Sequence, residues 1–65
     1  MANIATYAFV NAENRDKARD KIVYELGGGY DTGYTSDYYL LHITSDCKDP
    51  ALAGQICSAY NGKPY

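Results

Sequence analysis

The chain has 65 residues, 46% of them hydrophobic, with charges of both signs and a formal net charge of −2. That suffices for one folded domain over 1–65 with one small core, and excludes long disordered tracts. The mild acidity excludes a phosphate-backbone or anionic-lipid surface built on net charge, and is too weak for a mimic of DNA.

No run approaches the ~20 apolar residues of a membrane-spanning helix. The first residues, MANIATYAFVNAENRD, carry neither a basic n-region nor a long apolar segment. The expected compartment is therefore a reducing cytoplasm, with no membrane association. Cys47 and Cys57 lie ten residues apart. In that setting they read as two small buried thiols rather than a disulfide. With His42 the only histidine and no C-x-x-C pair, the sequence suggests neither a metal nor a cofactor.

The first element is a strand, NIATYAFV (3–10). Ile4, Thr6, Ala8 and Val10 alternate with Ala5, Tyr7 and Phe9, and both sets are substantially apolar, as in an interior strand covered on both sides. Asn11 sits where a helix N-cap belongs, and Glu13 faces the positive end of the helix dipole.

AENRDKARDKIVYEL (12–26) predicts an amphipathic helix, with Ala18, Ile22 and Leu26 on one stripe and Val23 beside them. Glu13 and Lys17 form an i,i+4 pair. Four of the six basic residues, Arg15, Lys17, Arg19 and Lys21, lie on this helix. Interleaved with Asp16 and Asp20, they read as a solvated face rather than a docking surface. Gly27, Gly28 and Gly29 come after the helix. They suit its left-handed termination, whereas a phosphate-cradling loop needs its glycines before a helix.

Tyr30, Tyr34, Tyr38 and Tyr39, four of the eight tyrosines, crowd into the next segment. YDTGY (30–34) has turn chemistry in Asp31 and Gly33. A short hairpin pairing GGY with YTS is expected there, leading into a strand over 36–44. In that strand Tyr39, Leu41 and Ile43 share one face; Tyr38, Leu40, His42 and Thr44 share the other. Asp49 then caps a second helix, with Pro50 in its first turn and ALAGQICSAY (51–60) as its body. Asn61-Gly62 ends that helix, and Lys63-Pro64-Tyr65 is a tail.

The order predicts a small α/β (α+β) domain, β-α-(β-hairpin arm)-β-α. Two helices would pack on one face of a two- or three-stranded sheet whose two main strands lie parallel. This is similar to a truncated ferredoxin-like arrangement with the last strand missing, a likeness of fold that implies no activity.

Enzymatic chemistry is not expected. Asp31 and Asp37 are turn formers, His42 has no orienting partner in view, and so short a chain offers little concavity. Single-stranded nucleic acid could stack on sheet tyrosines. Residues 22–47, however, hold no Lys or Arg to neutralise phosphates. A small homodimeric nucleic-acid-associated regulator is therefore the alternative reading.

The favoured one is a non-catalytic module that binds a larger protein, as a stoichiometric inhibitor or modulator. It would be of the kind phages and mobile elements direct against a host enzyme or defence complex. Its surface would be the tyrosine-rich arm and a sheet edge, using Tyr30, Tyr34, Tyr38 and Tyr39. Asp31 and Asp37 would form an acidic rim suited to a basic patch on the partner. A second copy of the chain is the other expected occupant of the open sheet.

Overall fold

Alternation within NIATYAF gives strand β1 (Asn3–Phe9). Ala5, Tyr7 and Phe9 turn inward on the core, and Phe9 is fully buried. The computed structural model describes residues 2–65. Asn11 stops the strand and starts helix α1 (Ala12–Leu26), its side-chain oxygen accepting a bond from the Asn14 amide at 2.8 Å. Gly27, at φ 77°, closes the helix in the left-handed conformation, its N–H donating to the Val23 carbonyl.

Gly28 and Gly29 also have positive φ and lead into β2 (Tyr30–Tyr34). A turn at 35–38 follows, in which the Thr35 hydroxyl accepts from the amides of Asp37 and Tyr38. Strand β3 (Tyr39–Thr44) returns beside β2. Asp49 caps helix α2 (Pro50–Ala59), accepting from the Leu52 amide, with proline at its start. The chain ends in β4 (Lys63–Pro64).

The protein is a small α+β domain in which two helices pack on an open, wholly antiparallel four-stranded sheet of order β2-β3-β1-β4. This corrects three expectations. The strands over 3–10 and 36–44 are neighbours, but antiparallel: Thr6 pairs with His42 and Ala8 with Leu40. The α1 crossover leads to β2 at the far side, and the tight 35–38 turn folds β3 back into the slot between β2 and β1. Residues 30–34 form one continuous strand along β3, in place of a small hairpin of their own. The supposed tail supplies the fourth strand, pairing Lys63 with Ala8 and Pro64 with Tyr7.

Both helices cover the same face. Ala18 and Ile22 of α1 and Ala53, Ile56 and Cys57 of α2 meet Phe9, Leu41 and Ile43 in one core. Gly54 leaves room on α2 for the Tyr7 hydroxyl of β1. Here β1 departs from its expected covering on both sides. Ile4 and Val10, on its other face, are exposed, Val10 to 79%.

Candidate interaction surface

Antiparallel register assigns every strand side chain to a face. Tyr30, Thr32 and Tyr34 of β2 pair with Ile43, Leu41 and Tyr39 of β3 and therefore lie on the helix side. Asp31 and Gly33 lie on the open side, opposite His42 and Leu40. Tyr38, one residue before Tyr39, turns to the open side as well.

The six residues singled out from the sequence thus do not form one patch. Tyr30 packs against the core. Tyr34 stands 81% exposed at the end of β2, with Tyr39 opposite it and 41% exposed. The Arg15 guanidinium lies 5.6 Å above the Tyr39 ring centre. It also donates to the carbonyls of Gly33 and Leu40 at 3.1 and 3.5 Å. One cation from α1 therefore holds both strands of the arm. Asp37 is exposed in the turn beyond.

Tyr38 instead meets Tyr65 edge to face, with ring centres 6.3 Å apart. Both border a shallow cleft of about 260 Å³ lined also by Ala8, Val10, Asn61, Lys63 and Pro64. Tyr65, Val10 and Lys63 are contributors that sequence reasoning missed. Val10 was visible as the continuation of the Ile4-Thr6-Ala8 alternation. Lys63 and Tyr65 gave no signal, because a two-residue strand has no periodicity.

The centre of the open face is polar and locally satisfied. His42 Nδ1 lies 2.8 Å from the Thr6 hydroxyl, and its Nε2 leans toward Gly33, 3.1 Å from where a Cβ would stand. The Thr44 hydroxyl donates to Asp46, which holds that carboxyl below its usual range. Ala8 and Leu40 in the next row are buried.

The sheet edges are blunted. Bonds from Thr44 N to Gly29 O and from Thr35 N to Tyr38 O bracket β2. Antiparallel alternation then points the backbone groups of Asp31 and Gly33 toward β3, and those of Tyr30, Thr32 and Tyr34 outward. The central outward amide, that of Thr32, donates to the Asp31 carboxylate at 2.9 Å. At the other edge the Tyr65 amide donates to Thr6 O, which makes Pro64 the residue facing outward, and proline has no amide to offer. A fifth strand would find the middle donor of β2 occupied and that of β4 missing.

Helix α1 presents charge but little net field. Lys17 pairs with Glu13, Lys21 with Glu25, Arg15 with Asp16, and Arg19 with Asp16 and Asp20. Hydrogen bonding to Asp20 and Glu25 holds the Arg19 and Lys21 side chains above their ordinary pKa values. The helix carries four bases and four acids, so the formal charge of −2 resides outside it.

Among the described residues, no three His, Cys, Asp or Glu side chains cluster as metal ligands, and no helix is long and apolar enough to cross a membrane. Cys47 and Cys57 are free and buried. Comparison with known proteins supplies no relative: no family model, curated protein or solved structure matches the chain.

Proposed function

We propose that this protein is a stoichiometric binding module that grips a larger protein through the tip of its β2–β3 arm. The observation that carries the reading is the exposure of Tyr34 (81%) beside the half-exposed Tyr39, on a hairpin that Arg15 fastens to α1. A tyrosine has little rotamer entropy to lose on binding and offers a large contact area with a polar tip. Holding the arm in place before contact lowers the ordering cost of association.

Asp37 at the turn supplies the acidic rim, so the partner surface is one with a basic patch. Asp31 and the covered Tyr30 fall outside this contact, and the capped β2 edge favours side-chain docking over strand addition. The role of modulator of a larger complex, of the mobile-element kind, is an analogy from the chain's small size.

Nucleic-acid binding is the weaker reading. The bases of α1 are already ion-paired, and Lys63 is the one Lys or Arg on the open face among the described strand residues. Phosphates would find little to neutralise them.

The test is parallel affinity capture from host lysate with wild-type and Tyr34→Ala baits, each first shown to melt at the same temperature. A partner retained by the wild type and reduced at least ~10-fold on the variant supports the reading, as expected for a central aromatic contact. Equal recovery on both baits overturns it.

A further inference from the structure

The open face has an unusual pattern of charge and polarity across its strands. Read from β2 to β4, one row runs Asp31, His42, Thr6, Tyr65, and the next runs Gly33, Leu40, Ala8, Lys63. An acid marks one margin and a base the opposite margin. Neither Asp31 nor Lys63 has an ion-pair partner among the described residues. Between them lies a strip that is small, apolar or internally hydrogen-bonded, flanked along the strands by the exposed Ile4 and Val10.

We infer that the open face is the interface of a two-fold symmetric homodimer, two sheets stacked face to face. The axis would run parallel to the strands, between β1 and β3.

Such an axis lays β3 of one copy over β1 of the other and β2 over β4, and it carries each row onto itself. His42 of one protomer then opposes Thr6 of its partner, while Leu40 and Ala8 in the next row are already buried within each chain. Lys63 comes to rest over Gly33, the one β2 position on this face with no side chain. Asp31 is one same-face step along, about 7 Å, which a lysine side chain spans. The pairing occurs twice by symmetry, as an isologous contact requires.

An axis perpendicular to the strands would set β2 over β2 and bring acid against acid, so the charges choose between the two arrangements. The blunted edges favour face-to-face contact, since each margin lacks its middle donor for a further strand. Tyr34 and Tyr39 face the helix side, so both arm tips remain free in the dimer. The inference stands whether or not the arm is the contact for another protein.

The experiment is sedimentation of the full chain, purified alone, from micromolar to millimolar loading at low and high salt. The expected result is a concentration-dependent shift from the 7.2 kDa chain to twice that mass. Lys63→Asp or Asp31→Lys alone should weaken the dimer at least about tenfold by opposing like charges, and the double exchange should restore it. Val10→Glu, at an exposed position that folding does not need, should also weaken it. A monomer at every loading would overturn the inference. So would a dimer that all three single variants leave unchanged, or a double exchange that associates no better than the single ones.

Discussion

The hydroxyl of Tyr7 occupies the space in front of Gly54: a Cβ on Gly54 would stand 2.6 Å from the tyrosine oxygen and 3.5 Å from its Cζ. The contact joins α2 to β1. Alanine at 54 would gain about 1 kcal/mol of helix propensity, but the overlap with a rigid ring costs about 1–3 kcal/mol. Gly54→Ala should therefore be neutral to destabilising by about 1–2 kcal/mol in the wild type. In a Tyr7→Phe background the offending oxygen is gone, and Gly54→Ala should become stabilising by about 1 kcal/mol. Denaturant titration of the four proteins measures the coupling, and additivity would show that the contact sets nothing.

The three glycines after α1 are not equivalent. Gly27 (φ 77°) has open space where a Cβ would go, so Gly27→Ala meets only the left-handed backbone penalty, about 1 kcal/mol. Gly29 (φ 83°) lies against the backbone of Cys47, where a Cβ would overlap its Cα and stand 2.9 Å from its amide nitrogen. Backbone cannot swing aside as a side-chain tip can. Gly29→Ala should cost about 3 kcal/mol or more and separate β2 from the loop after β3. Equal melting temperatures for the two variants would contradict this ranking.

Arg15 links three structural levels. Its stem and guanidinium are 16% exposed; they bond to Asp16 and the carbonyls of two adjacent strands and cover Tyr39. Lysine keeps the charge but not the planar fork. Arg15→Lys should lower stability by about 1 kcal/mol. Its larger effect should be local, with faster amide exchange across 32–41 while the exchange of α2 is unchanged. Uniform acceleration over the whole chain would show that Arg15 has no special hold on the arm.

How much of this was legible beforehand divides by the range of the cause. Both helices were, because their signals are local: Asn11 and Asp49-Pro50 to begin them, Gly27 to end the first, and the four-residue recurrence of Ala18 and Ile22. Strand direction was not, because the antiparallel pairing of β1 with β3 is decided between residues 36 apart, such as Thr6 and His42.

The same holds for the candidate surface. Alternation correctly separates Tyr38 from Tyr39, yet nothing local says which face receives the helices. Tyr30 was therefore grouped with residues from which packing on Ile43 removes it. Lys63 and Tyr65 escaped notice because β4 exists only by virtue of β1 beside it. The caps on Thr32 and at Pro64 became meaningful only once the bonding register showed which amides point outward.

Cys57 provides a test of the core that depends on pH. Its side chain is fully buried, and burial pushes the thiol up from 9.0 to about 12, with backbone hydrogen bonding offsetting part of that rise. A raised thiol pKa means that between those values the native state keeps a proton that the unfolded chain has released. Stability then falls as pH rises, since it increases with pH only where the unfolded state binds more protons. The loss should begin near pH 9 and continue toward 12. Tyrosines and lysines titrate in the same range, so the informative quantity is the difference between wild type and Cys57→Ala. At neutral pH the variant should be less stable by about 1 kcal/mol, from the lost packing. That deficit should shrink steadily above pH 9 and then reverse. A thiol reagent at pH 8 should label Cys57 only after denaturant is added. A gap between the two proteins that stays constant from pH 8 to 11 would mean that the thiol ionises in the folded core as readily as in water.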